Sequence, residues 1–215
     1  MSLSSELYDK LRRDILQGKL RQGEKLTEQQ ICDEYKVSRT PVREAFRQLE
    51  IEGFIETIPN RGAFVTGFSD RDIEDMYELR KAYEILCVKW AIERITDEEY
   101  EKLQEAFEFM EFYTQKRDLE KMLKINMSFH ELIYKAAKNR MLYHILSSYQ
   151  LYIKQSKAAV RCNESEAGMG DGHLDEILAE HRAIFEAFQK RDPNAGMEAM
   201  ARHMDNAKRR GISSK

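Results

Sequence analysis

The feature that most narrows the fold of this chain is a row of three arginines, Arg39, Arg43 and Arg47, set one helical turn apart behind a cap-and-proline start. Ser38 or Thr40 suits the cap of a helix, and Pro41 suits the first turn, where a missing N–H costs nothing. Residues four apart share a face. The arginines therefore project together, while Val42, Phe46 and Leu49 hold the other side to a core. A helix N-terminus that carries Ser38, Thr40 and guanidinium groups offers donors to phosphates and forked donors to guanine edges. Such a helix needs a small scaffold that grips one face and leaves the other open.

The flanking residues supply that scaffold. Leu7, Leu11 and Ile15 repeat at four along a first helix from about Ser5 to Gln17, which Gly18 stops. Thr27-x-x-Gln30 is a capping box opening a short second helix with Ile31 and Tyr35. The arginine helix follows and ends at Gly53. Two β-prone runs, Phe54–Thr57 and Ala63–Thr66, flank the turn-rich Ile58-Pro59-Asn60-Arg61-Gly62. Three helices and a hairpin make a winged helix-turn-helix, with Arg61 and Gly62 on a wing beside the sugar-phosphate backbone or in the minor groove. Residues 1–68 hold eleven Lys or Arg and eleven Asp or Glu. A neutral unit binds nonspecific DNA weakly, since phosphate neutralisation supplies most of that affinity. Two copies on a two-fold symmetric operator are therefore expected.

The remaining residues, 69–215, read as six helices without strands, at about 69–95, 96–116, 118–138, 141–160, 173–190 and 192–211. The expected fold class is thus mainly α, an N-terminal winged helix-turn-helix (1–68) followed by an all-helical six-helix bundle (69–215). Met76, Leu79, Tyr83, Leu86 and Trp90 form the apolar row of the bundle's first helix, and Leu142, Ile145, Leu146, Tyr149, Tyr152 and Ile153 that of its fourth. Glu166–Gly172 is the expected mobile loop, and the short Gly67-Phe68 linker is expected to couple the domains mechanically. No apolar run approaches the roughly 18–20 residues that cross a bilayer, and no signal peptide opens the chain. Cys32, Cys87 and Cys162 lie far apart, outside any C-x-x-C pair, which fits a reduced cytoplasm.

Three of the bundle helices carry polar residues in their apolar rows. The row Leu119, Leu123, Asn126, His130, Ile133, Ala137 runs at intervals of four, three, four, three and four. His181 sits among Ile177, Leu178, Ile184 and Phe185, and His203 between Met200 and Met204. His144 lies off its row, and His173 opens a helix. Buried polar groups are costly without partners, so a shared polar cavity is expected. Any one of the three is readable as a satisfied core histidine. Together they match the way bundles build metal and ligand sites from separate helices.

On these residues, 5–68 resemble the DNA-binding domain of the GntR superfamily. The hallmark V-S-R-T-P-V-R-E-A is present without a gap, and G-F-I-E-T-I-P-N-R-G-A-F-V matches the wing. Residues 69–215 resemble the FCD effector domain of its FadR branch through Leu79-Arg80-x-x-x-Glu84, Phe129-His130, Ala137-Lys138-Asn139, Glu180-His181-x-x-Ile184 with Arg191-Asp192, and Met200-x-x-His203. Six helices suggest the shorter, VanR-like subgroup. The resemblance implies DNA contacts from Ser38, Arg39, Thr40, Arg43, Arg61 and Gly62, to which helical spacing adds Arg47. It puts Gln29 where many relatives have a basic residue.

For the bundle, the resemblance implies a divalent metal, Zn²⁺ or Ni²⁺, on His130, His181 and His203. Asn126 takes the position of the family's aspartate. An amide oxygen is a weaker, neutral ligand than carboxylate, so metal affinity is expected to fall. It also implies a small organic acid effector held by Arg80 and Asn126, although Arg80 also suits a surface or interdomain salt bridge. The expected function is a dimeric, ligand-responsive repressor of a palindromic operator, with no membrane partner. Two other readings stay open. A metal-dependent enzyme on a helical bundle would want a Glu-x-x-His pair or a nucleophile with its base, and neither is visible. The aminotransferase-like domain of some GntR relatives does not fit about 147 residues without strands. The second is a DNA-binding adaptor whose bundle only dimerises.

Overall fold

Leu7, Leu11 and Ile15 return every four residues, so a helix over this stretch buries all three on one side: α1 (Leu3–Leu16). The computed structural model describes residues 3–59, 61–66, 70–155 and 172–212. After α1 come β1 (Lys25–Leu26), α2 (Glu28–Tyr35), α3 (Arg39–Ile51), β2 (Ile55–Ile58) and β3 (Gly62–Val65). The helices α4 (Asp70–Arg94), α5 (Asp97–Gln115), α6 (Leu119–Ala136), α7 (Arg140–Gln155), α8 (Gly172–Gln189) and α9 (Pro193–Ile212) complete the order. Contacts divide the chain into two compact units, one up to Ile73 and the other from Glu74. No helix among the described residues is long and apolar enough to cross a membrane.

In the first unit α1 packs on α3. The core joins Leu11 and Ile15 to Val42, Ala45 and Leu49. Ala45 takes a place in this core, and Phe46 is only half-buried. Tyr8 donates to Glu52 at 2.5 Å and Arg12 pairs with the same carboxylate at 3.3 Å, tying α1 to the end of α3. The sheet is antiparallel in the order β1-β3-β2, with Ile58 opposite Gly62 at the hairpin end. Strand β1 is two residues long, too short to leave a periodic signal, and sequence reading did not find it.

In the second unit α5 packs against α6 and α8, and α8 against α9. Phe107 stacks on Phe185 with centroids 4.7 Å apart. Thr96 and Glu99 form the reciprocal capping box that opens α5. Gly196 marks a close approach of α9 to α4, because a Cβ there would lie 2.4 Å from Ile92 Cδ1.

The buried side of α4 corrects the sequence reading. Of the expected apolar row only Met76 is buried; Leu79 and Leu86 are exposed. The buried seam is Tyr77, Arg80, Glu84, Cys87, Val88 and Ala91. Reading by hydrophobicity discounts a flank with two charges, but Arg80 and Glu84 go inward as a pair and neutralise each other. On α7, Leu142 and Leu146 are buried, while Ile145 and Tyr149 are half-buried. The side chains of Tyr152 and Ile153, the expected loop up to residue 171, the Gly67-Phe68 linker and Cys162 lie outside the described residues.

Candidate nucleic-acid interface and histidine cavity

A tight turn between α2 and α3 sets up the exposed face. Lys36 ends α2 in the left-handed region at φ 54°, and its N–H closes on Cys32 O. Two residues later Ser38, extended at φ −76° and ψ 169°, starts α3. Its hydroxyl makes no capping bond, so it stays available at the helix N-terminus with exposed Thr40. Arg39, Arg43 and Arg47 are all exposed. Each already has a partner. Arg39 Nη2 donates to Gln29 Oε1 at 3.1 Å, Arg43 Nε to Glu28 Oε1 at 2.7 Å, and Arg47 uses Nε and Nη2 on the two oxygens of Glu44 at 3.3 and 2.7 Å.

The hairpin adds to this face. Arg61 N–H closes a turn on Ile58 O at 3.0 Å, and the exposed guanidinium lies 6.0 Å from the Phe64 ring. Gly62 has φ 100°, which side chains rarely adopt, and a Cβ there would press on Lys25 Cε at 3.1 Å. Arg43, Arg47, Arg61, Gly62 and Glu28 line one groove of about 550 Å³. A second, of about 630 Å³, is lined by Ser38, Thr40, Arg43 and Arg47. Six of the seven residues expected to face DNA thus line two grooves that share Arg43 and Arg47. The seventh, Arg39, reaches α2 instead.

Three helices bring the expected histidines together. His130 on α6, His181 on α8 and His203 on α9 are buried, and their ligating nitrogens lie within 4.8 Å of one another. His181 Nε2 stands 3.3 Å from His130 Nε2. A carbonyl only accepts, so the 2.7 Å contact of His181 Nδ1 with Ile177 O fixes a proton on Nδ1. Likewise His203 Nδ1 donates to the Glu180 carboxylate at 2.8 Å. In its neutral form each ring then offers an unprotonated Nε2, the tautomer that metal ligation needs and that such outer partners fix. Burial first, then the neighbouring His203, pushes His181 down to about 3. Burial also holds His130 well below the usual imidazole range, with His203 and His181 adding to it. Neutral rings are what a cation would bind.

A second layer of charge surrounds the rings. Glu180 accepts from His203, from Asn206 at 2.6 Å and from both terminal nitrogens of Arg210 at 2.8 and 2.9 Å, joining α8 to α9. Burial opposes its ionisation, but the bonds from Arg210 and His203 outweigh this and lower it to about 2. On α4, Arg80 Nε donates to Glu84 Oε1 at 3.2 Å, and Tyr134 OH donates to the same oxygen at 2.5 Å. The other oxygen of Glu84 lies 3.9 Å from His130 Nδ1. Neither of those atoms, nor Asn126 Oδ1, has a hydrogen-bond partner among the described residues. Buried polar atoms without partners are rare and need an explanation.

Those vacancies permit a test of fit for a metal. Two imidazole nitrogens about 2.0–2.1 Å from a tetrahedral Zn²⁺ stand about 3.3 Å apart, the separation of His181 and His130 here. Asn126, one turn before His130 on α6, brings an orphaned oxygen to the same helix face. The donor set fits. Arg80 is buried and pairs with Glu84 within α4, so its salt bridge is neither the surface nor the interdomain one expected. His144 is exposed, and half-buried His173 lies 3.7 Å from Glu176, so neither joins the cluster. Glu28, Glu84, Tyr134 and Glu180 were given no role by sequence reading. The i, i+4 spacing of Arg80 and Glu84 was a usable signal for one of them. Nothing local announced the others.

Comparison with known proteins matches both units. The family described as "Bacterial regulatory proteins, gntR family" matches residues 3–65, and the "FCD domain" matches residues 75–206. The uncharacterized HTH-type transcriptional regulator YdhC of Bacillus subtilis is 29% identical over 203 residues, 94% of this chain and 87% of its own. The HTH-type transcriptional repressor RspR of Escherichia coli is 26% identical over 202 residues, 94% of this chain and 86% of its own. The solved structure of Escherichia coli McbR/YncC has a TM-score of 0.67 at 22% identity over 96% of this chain and 95% of that one, a likeness of fold alone.

Proposed function

Since the chain belongs to the gntR family of bacterial regulatory proteins and carries an FCD domain, we propose that it is a dimeric repressor whose hold on a two-fold symmetric operator is set by a small carboxylate in the histidine cavity. It is a transcriptional regulator, as its relatives are, and not an enzyme. The observation that carries the DNA-reading part is the exposed arginine face of α3, continued into the groove that Arg61 and Gly62 line. In this reading Ser38 and Thr40 bind phosphate at the helix N-terminus, Arg39, Arg43 and Arg47 face the major groove, and Arg61 with Gly62 meets the backbone. Residues 1–68 carry DNA binding, and 69–215 carry effector binding and dimerisation.

Zn²⁺ or Ni²⁺ would be held by His130, His181 and His203 with Asn126 as a neutral fourth donor, and would supply a Lewis-acidic anchor for an anion. The chain's own residues do the rest. Glu180 and Ile177 O orient two of the rings. Arg80, anchored by Nε to Glu84, presents its terminal amino groups to the effector carboxylate. Exposed Leu79 and Leu86, with half-buried Tyr83 and Trp90, repeat at four, three and four along α4, the spacing of a helix-pairing seam. A second copy of the chain is assigned to that seam.

The effector shifts the population of two dimer arrangements by its differential affinity for them. The test is enrichment of duplexes from a random pool by the full-length protein, followed by a screen of small organic acids, with and without Zn²⁺ or Ni²⁺, for release. A repeated half-site is expected, and Arg43→Ala is expected to weaken its binding about tenfold or more. No enrichment over random DNA overturns the repressor reading. Enrichment without release by any acid leaves a dimeric DNA-binding adaptor and overturns the effector part.

A further inference from the structure

The three arginines of α3 differ in which of their N–H groups are already engaged. Arg47 gives Nε and Nη2 to the two oxygens of Glu44, three residues earlier on its own helix, so its side-on fork is filled. Arg39 gives one terminal nitrogen to the amide oxygen of Gln29, and Gln29 in turn donates to Asp33 at 2.9 Å. Arg43 gives only Nε, at 2.7 Å, to Glu28. Among the described residues its two terminal amino groups have no protein partner. These are the pair that reaches guanine O6 and N7 end-on.

Glu28 is well placed to hold that geometry. It is the first residue of α2, capped by Thr27, whose side chain accepts from Gln30 N at 3.2 Å. Its carboxylate is two-thirds covered and lines the same groove as Arg43, Arg61 and Gly62. The contact joins different helices across fifteen residues, so it fixes the direction of Arg43 relative to the scaffold rather than along α3 alone. An arginine already held by Nε has less rotamer freedom to lose on docking. The same carboxylate faces the groove as a negative charge, where it repels any phosphate that approaches.

We infer that Glu28 is a specificity-determining residue of the DNA-reading face: it holds Arg43 by Nε, presents the two terminal amino groups to one guanine in each half-site, and suppresses binding to all other DNA. The inference rests on the DNA-reading function proposed above. It gives Glu28 opposite effects on two measurable quantities. A purely structural role for Glu28 in α2 would move both the same way.

The experiment takes full-length protein and the duplexes that the unaltered chain enriches from a random pool. Single-base variants of the enriched site and a random-sequence duplex are then titrated with Glu28→Gln, with Arg43→Lys and with the double variant. In Glu28→Gln the preference at one base pair per half-site is expected to flatten about tenfold, while affinity for the random duplex rises severalfold at low salt. In the Arg43→Lys background, adding Glu28→Gln is expected to leave base preference unchanged, because the glutamate acts through the arginine. Thermal melting reports whether each variant is folded. If Glu28→Gln melts early, Glu28→Ala is read against the same duplexes. Unaltered base preference in a folded Glu28 variant overturns the inference. If the unaltered chain enriches no sequence, it is the DNA-reading function that fails.

Discussion

On α3 three arginines keep their charges in water, each with a partner that solvent also reaches, whereas in the helical unit Arg80, Glu84 and three histidines lie buried, with Glu180 partly covered beside His203. The first arrangement leaves each guanidinium within reach of solvent, which is what a surface meeting phosphates and bases requires. The second sets these charges against one another, away from solvent. Exposed pairs contribute little to stability because water screens them and side-chain entropy opposes them. A buried pair is costly to break because the remaining charge has no solvent. Arginine and glutamate therefore pair in reach of water in one unit and away from it in the other, and the difference is measurable.

The largest effect is expected from Glu84→Ala. It leaves the Arg80 guanidinium buried without its carboxylate and removes the acceptor of Tyr134. A loss of about 3–5 kcal/mol is expected, seen as a fall of roughly 6–20 °C in the melting temperature. The double replacement Arg80→Met with Glu84→Leu should recover most of that loss, since a matched apolar pair removes both charges at once. It should also abolish release by organic acids. If Glu84→Ala melts within about 2 °C of the unaltered chain, the two units do not differ in the way argued here.

Next in size is the response to metal. Zn²⁺ or Ni²⁺ at a hundred times its dissociation constant is expected to stabilise the protein by about 2.7 kcal/mol, or roughly 5–11 °C. His181→Ala should lose the shift, and elemental analysis should find it stripped. Asn126→Asp should hold metal through chelator dialysis about tenfold better, because it adds a charged donor. If neither ion moves the unaltered chain, the three rings are core histidines without a metal role and the cavity is architecture only.

These predictions also mark what could be read before the structure was known. The α3 start was legible because it is local: Ser38, Pro41 and the four-residue spacing of the arginines are all set within one helix. His130, His181 and His203 were legible as inward-facing because each interrupts its own helix's apolar row. That they meet was a matter of tertiary packing. The acids around them were hidden for the same reason, since Glu180 faces His203 and Arg210 on the next helix. On α4 the pairing of Arg80 with Glu84 reversed the expected face, because hydrophobic periodicity has no term for two charges that cancel. The exposed side that resulted, with Leu79 and Leu86, is the one assigned to the dimer. Leu79→Asp is accordingly expected to halve the mass in light scattering, and to weaken operator binding about tenfold or more through lost bivalency. Its melting temperature at low concentration should stay close to that of the unaltered chain. A variant that remains dimeric would move the seam elsewhere.

The smallest effect belongs to the exposed side of the comparison, and a near-zero result there is informative. Glu44 and Arg47 form a close bidentate pair, 2.7 Å at its shorter contact, with both side chains about half-exposed or more. If short distance alone decided strength, Glu44→Gln would cost as much as breaking the pair at Glu84. Solvent screening predicts otherwise, so the melting temperature should move by no more than about 1 °C. What changes is the field on the face proposed to read DNA, where one negative charge is gone and the side-on fork of Arg47 is released. Binding to random duplex should then rise severalfold at low salt, and the gain should shrink as salt screens it. A large loss of stability in Glu44→Gln would place this pair with the buried ones, and the opposition between the two units would fail at its most exposed contact.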